Sequence, residues 1–243
     1  MPEGMTHLPD DAFRGRTSLV SVACPSSLVS IGWRAFCGCS ALARVTLPAG
    51  LTSIGSCTFR NCSSLASVTL PATLTSIGAS AFWGCSALTS AALPAGLTIG
   101  YWAFYRCSAL TSAALPAGLA SIGEDAFECC DSLASITLPL PDGLSIDDAA
   151  PSPCSTLASV TLPAGLTSIG NDAFSGCSSL AHVTLPAGLT SIGDEAFFGC
   201  SSLASIDLPA TLTSIGGCAF SGCSALTSVT LPAGLVSIGD EAF

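Results

Sequence analysis

The chain contains no lysine, and its 243 residues include only six arginines and two histidines. Charged residues make up 9 % of the sequence, so the surface must be dressed mainly by Ser, Thr, Gly and Ala. A net charge of −10 with no lysine leaves little to neutralise a phosphate backbone, which sets nucleic acid aside as a partner. Long apolar runs are also missing. Ser, Thr, Gly or Pro interrupts every few residues, and no stretch approaches the roughly 18 to 20 residues that span a bilayer, so membrane insertion is not expected. The first residues, MPEGMTHLPDDAFRG, carry acids and a Pro where a signal peptide shows basic residues and then an apolar run. No Walker loop, GxGxxG run, HExxH or GxSxG is present, so neither an enzyme nor a bound cofactor is expected.

What is present is a period. Leu19, Leu42, Leu65, Leu88, Leu110, Leu133, Leu157, Leu180, Leu203 and Leu226 recur every 23 residues, apart from one step of 22 and one of 24. A fixed period in this range defines a repeat architecture before any secondary structure is assigned. The unit reads LxSVTLPAGLTSIGxxAFxGCSx. In LxSVTL the apolar side chains alternate with small polar ones, as a short strand with one buried face requires. The Pro that follows has no N–H and ends the ladder. AG then permits a turn before LTSIG returns to the core. Asp, Glu or Asn before the AF pair predicts the capped start of a short helix or 3₁₀ turn. With 49 % apolar residues, such units bury a core only by stacking. The expected fold is a solenoid of about ten and a half coils, each holding one parallel β-strand and a short helix or 3₁₀ turn. Residues 1–243 read as one continuous array, cut within a repeat at both ends. Residues 139–154 form an irregular coil, and TIG at 98–100 has lost one residue; both irregularities are expected to lie in loops.

The unit resembles the BspA-like leucine-rich repeat, marked by its IGxxAFxGCxxL core. SIGNDAFSGCSSL (168–180) and SIGDEAFFGCSSL (191–203) fit it without a gap, and the resemblance covers essentially the whole chain. It implies a leucine-rich-repeat solenoid acting as an adhesion or protein-binding array, often on the surface of bacteria or microbial eukaryotes. The lack of a signal peptide sets this chain apart from secreted members.

Nine of the fourteen cysteines, Cys39, Cys62, Cys85, Cys107, Cys130, Cys154, Cys177, Cys200 and Cys223, hold one repeat position three residues after the Phe site. Stacked about 4.8 Å apart with parallel Cβ vectors, neighbouring thiols lie beyond disulfide geometry and read as a buried, reduced ladder. Cys37, Cys39, Cys57 and Cys62 lack a metal-ligand spacing, so no metal is expected. The acidic pairs Asp10/Asp11, Glu124/Asp125, Asp194/Glu195 and Asp240/Glu241 recur at the expected helix start and read as caps. His182 aligns with Ser159 and Ser205 on adjacent coils, with Asp207 on the diagonal. These are the residue types of a triad, but they lie on an open strand face and read as repeat surface.

Charge and aromatic placement carry the remaining signal. All six Arg lie in residues 1–106 beside only three acids, a balance of +3, whereas residues 107–243 hold the other 13 acids and no Arg, a balance of −13. Such asymmetry concerns partners rather than fold. All three Trp and both Tyr share the N-terminal part. Trp33, Arg34, Arg60, Trp83, Tyr101, Trp102, Tyr105 and Arg106 are expected to form an exposed patch along one flank, and these are the residue types enriched in binding hot spots. The expected function is therefore a non-catalytic recognition or adhesion module for a protein or glycan. The alternative is a structural solenoid that self-associates end to end, aided by its charge asymmetry. Outward Ser/Thr rows, such as Ser67/Thr69 and Ser159/Thr161, leave ice binding as a remote third reading.

Overall fold

The computed structural model describes residues 1–115, 121–123, 125–137, 145–146 and 155–243. Most of the irregular coil at 139–154, Cys154 and Glu124 lie outside the described residues. The described chain is a parallel β-solenoid of about nine turns, fewer than the ten and a half units counted along the sequence. It divides into two compact units, Met1–Ser132 and Leu133–Phe243.

Two strand positions are found in most coils where the sequence suggested one; in the last two coils the SVT-type segments at 205–207 and 228–230 are not strands. In the first unit the SVT-type strands Ser21–Ala23, Arg44–Thr46, Ser67–Thr69, Ser90–Ala92 and Ser112–Ala114 pair in parallel and in register. The second ladder comes from the return segment LTSIG: His7–Leu8, Ser30–Ile31, Ser53–Ile54, Ser76–Ile77, Thr98–Ile99 and Ser121–Ile122. Thr98–Ile99 thus belongs to the sheet and not to a loop. The shortened TIG is absorbed because Thr98 takes the place of the Ser and pairs with Ser76. The second unit repeats the plan with Ser135–Thr137, Ser159–Thr161 and His182–Thr184 on one side. On the other side Ser145–Ile146, Ser168–Ile169, Ser191–Ile192, Ser214–Ile215 and Ser237–Ile238 form the ladder.

The expected helix at the AF segment is replaced by a third ladder; among the described residues there is no helix. An α-helix needs each N–H to reach the carbonyl four residues earlier. Here alternate N–H groups leave the coil altogether: Arg34, Phe36 and Gly38 donate to the carbonyls of Ser56, Thr58 and Arg60 on the next coil. The N–H groups between them close tight turns, as Cys37 does to Arg34. The backbone can do this because the residue two before each Phe is left-handed, with φ from 52° to 56° at Asp11, Arg34, Cys57, Ser80, Trp102, Asp125, Asp172, Glu195, Cys218 and Glu241. Asp and Asn tolerate that region better than most residues, which accounts for acids at this site without any helix to cap. The first residue of each pair works differently. The Asp10 carboxylate accepts the N–H of Trp33 at 2.7 Å, and Asp194 that of Gly217 at 2.7 Å, so the acid ties one coil to the next.

The core is a set of stacked columns. Phe13, Phe36, Phe59, Phe82, Phe104 and Phe127 lie face to face with centroids 5.2–5.3 Å apart, as do Phe174, Phe197, Phe220 and Phe243. Beside them runs the thiol column. Cys62, Cys85, Cys107 and Cys130 each donate an S–H to the Phe carbonyl of the preceding coil at 3.2–3.3 Å, and Cys200 and Cys223 do the same in the second unit. Among the described residues no two cysteines are joined in a disulfide. Burial holds the Cys85, Cys107 and Cys130 thiols far above their ordinary range, so they stay protonated donors. Since only the thiolate attacks an electrophile, a thiol-alkylating reagent applied to the folded chain at mildly alkaline pH is expected to spare Cys85, Cys107 and Cys130. All three should become modified once the chain is unfolded in denaturant, with peptide mass spectrometry reading the difference.

Candidate binding site on the AF flank

The AF ladder leaves three side-chain columns facing outward: the two residues before AF and the residue after the Phe. The last of these reads Arg14, Cys37, Arg60, Trp83, Tyr105 and Glu128 through the first unit. Because coils stack in register, residues 22 or 23 apart become neighbours, and this is what assembles the aromatic cluster. Trp83 lies against Tyr105 with centroids 4.4 Å apart and edge-on to Trp102 at 6.0 Å, while Tyr101 meets Trp102 edge-on at 5.4 Å. The Arg60 guanidinium sits 4.4 Å from the Trp83 ring centre and that of Arg106 5.4 Å from Tyr105. Trp102 and Tyr101 remain 37 % and 53 % exposed, whereas Trp83, Tyr105 and Arg60 are half-buried beneath them. Six of the eight residues singled out in the sequence therefore form one cluster.

Trp33 and Arg34 form a separate pair. The Arg34 guanidinium stacks 3.3 Å from the Trp33 ring centre and is clamped by Asp11, with Nε 3.1 Å from Oδ1 and one terminal nitrogen donating to Oδ2 at 3.1 Å. Arg14 approaches the same carboxylate at 3.6 Å. Arg60 and Arg106 have no such carboxylate within ion-pair distance among the described residues; Arg60 lies half-buried on Trp83, and Arg106 is exposed, with Glu128 near enough to feel its charge.

Two residues of the cluster were not anticipated. Asp125 accepts the indole N–H of Trp102 at 3.1 Å and fixes that ring. Glu128 lies beside Tyr105: burial first, and then this carboxylate, raise the phenol above its ordinary value, so the hydroxyl stays protonated. The signal for Asp125 was available, since it stands 23 residues after Trp102, as Arg34 does after Asp11. By contrast, Ser159 and His182 are exposed on strands, and Ser205 and Asp207 are exposed on the irregular segment that follows in the stack, an open surface among the described residues.

A stack of 23-residue coils paired in parallel register, with Leu, Phe and Cys columns inside and variable columns on the flanks, defines a leucine-rich repeat solenoid. The chain belongs to the BspA type leucine rich repeat family, whose model, in six copies, matches residues 1–99, 35–154, 87–191 and 144–243. Among solved structures it is similar to a leucine-rich repeat protein from Bacteroides ovatus, at 27 % identity over 96 % of this chain and 78 % of that one, with a TM-score of 0.61. It is also similar to the T. pallidum leucine rich repeat protein, at 32 % identity over 74 % of each chain and a TM-score of 0.52. A leucine-rich repeat protein from Eubacterium ventriosum, 20 % identical over 96 % of this chain and 83 % of that one with a TM-score of 0.65, shares the fold. No curated protein matches the chain.

Proposed function

We propose that the chain is a non-catalytic protein-recognition module, and that the aromatic and arginine cluster on the AF flank of the first unit is where it holds its partner. One observation carries this reading: Arg60 and Arg106, which form no ion pair among the described residues, sit on the rings of Trp83 and Tyr105 beside the exposed Tyr101 and Trp102, with Glu128 the nearby acid that feels Arg106. Trp, Tyr and Arg dominate interface energetics because they offer large apolar area and directed polar groups together. Packing among the rings, and the Trp102 bond to Asp125, pre-order the cluster and lower the entropy lost on binding. A glycan is the other partner considered; the two free guanidinium groups favour a protein bearing acidic side chains. The outward Ser/Thr rows are interrupted by Arg44, Ala92, His182 and Asp207, so ice binding forms no part of the proposal.

The test selects peptides on the chain from a displayed random library and measures their affinities on the wild type and on a Trp102→Ala, Arg106→Ala double variant. Loss of two hot-spot side chains is expected to weaken the selected peptides about thirtyfold, the equivalent of roughly 2 kcal/mol. Selected peptides that bind the variant as well as the wild type would overturn the assignment.

A further inference from the structure

The two units differ in the balance of charge on their AF flanks: the first carries arginines together with Asp10, Asp11, Asp125 and Glu128, and the second carries acids alone. In the second unit the same outward columns hold Asp172, Asp194, Glu195, Asp240 and Glu241, all exposed, in a stretch that has no Arg or Lys to neutralise them. Four of these carboxylates close around Cys218: after burial, Glu241, Glu195, Asp194 and Asp240 are what push its thiol up. The two flanks also match in spacing. Arg60 and Arg106 stand two coils apart, as do Glu195 and Glu241, a rise of about 10 Å along the stack in both cases, with Arg106 one residue further beyond its Phe than Arg60 is. The coil between the two arginines carries Trp83, and the coil between the two acidic pairs carries only the small residues Gly217, Cys218 and Ser221 at the outward positions.

We infer that the partner of the aromatic and arginine cluster is a second copy of this chain, with the first-unit cluster of one copy seated on the Asp194/Glu195 and Asp240/Glu241 columns of the other. This rests on the reading of the cluster as a protein-binding surface and names its occupant. The contact is lateral, flank to flank, and differs from the end-to-end stacking that the charge asymmetry first suggested.

The experiment measures solution mass by light scattering under reducing conditions at low and at high salt. The wild type is expected above its monomer mass of 24.1 kDa at low salt and as a monomer near 1 M salt, where charges are screened within about 3 Å. Two charge-reversed chains complete it: Arg60→Glu with Arg106→Glu, and Glu195→Lys with Glu241→Lys. Each alone is expected to be monomeric at low salt because its own flanks now repel. Their equimolar mixture is expected to associate, since the acidic cluster of one faces the basic columns of the other, and that recovery also shows that both variants fold. A wild type that is monomeric at every salt, or variants whose mixture stays monomeric, would overturn the inference. If the wild type is monomeric and library peptides still lose affinity on Trp102→Ala and Arg106→Ala, self-recognition fails while the binding surface stands. If the peptides are indifferent too, both readings fail.

Discussion

Gly78→Ala is expected to cost about 3 kcal/mol of folding stability, the upper end of the usual cost of overpacking a core. The Gly of each SIG lies where one coil crosses directly over the backbone of the coil before it. A Cβ built on Gly78 would stand 2.5 Å from the Ser56 nitrogen and 2.7 Å from the Gly55 carbonyl carbon, backbone atoms that cannot swing aside as a side-chain tip could. Relief requires the coils to separate, which lengthens the Gly78 N–H bond to Ile54, now 2.9 Å, and loosens the Phe stack alongside it. Gly50→Ala is the matched control. Nothing lies within 4 Å of the added atom, and Thr already stands at the same repeat position as Thr73 and Thr211. That substitution should be neutral or raise stability by up to about 1 kcal/mol through the unfolded chain. Thermal and urea unfolding followed by circular dichroism compare the two. Equal effects would mean that close coil approach is not what keeps glycine at this position.

Phe82→Ala is expected to be at least as damaging, at about 4 kcal/mol, within the range for truncating a buried aromatic. Phe82 is fully buried, and both faces of its ring are covered, by Phe59 at 5.3 Å and Phe104 at 5.2 Å. Its removal leaves a gap between two rings that the flanking ladders hold at a fixed separation, so the site cannot collapse to fill it. Phe198→Ala supplies the contrast. That ring is 42 % exposed on the AF flank and should cost well under 1 kcal/mol when truncated. Similar urea midpoints for the two variants would show that the stacked column is not the stabilising element inferred here.

Much of the fold is legible in the sequence because stacking turns a one-dimensional period into a three-dimensional column. Leu42 above Leu19, or Cys62 above Cys39, follows from spacing alone, and with it the buried thiol ladder. The AF segment was misread for a local reason. Asp194-Glu195 before Ala-Phe has the composition of a capped helix start, yet the partners that decide its conformation stand about 22 residues downstream. The N–H of Glu195 goes to Gly217 and that of Phe197 to Ala219, which no local propensity encodes. The second sheet escaped notice because two-residue strands such as Ser191–Ile192 are too short for alternation to register. At the flank, the residue types in the cluster were visible from composition. What composition did not separate was the free pair Arg60 and Arg106 from Arg34, already bound to Asp11. Applying the 23-residue offset to charged positions as well as to leucines recovers that distinction.

The forward-donating bonds of the AF ladder also give it an electrical polarity. In every coil the carbonyls that accept from the preceding coil point backward, and the N–H groups of the residues that follow them point forward, as in Asp172, Phe174 and Gly176 donating to Asp194, Ala196 and Phe198. Within this ladder the aligned peptide dipoles add as they do along a helix, with their positive pole toward the later coils, while the LTSIG ladder, where Gly55 and Gly78 donate backward to Ile31 and Ile54, runs the opposite way. In the second unit that pole coincides with Asp240 and Glu241. In the first, the negative pole lies at the coil of Phe13, where Arg14 and Arg16 stand and Arg34 reaches across to Asp11. Along the AF ladder of each unit an acid at the later coils therefore meets the positive ends of that ladder's own peptides, and a base at the first coil meets the negative ends.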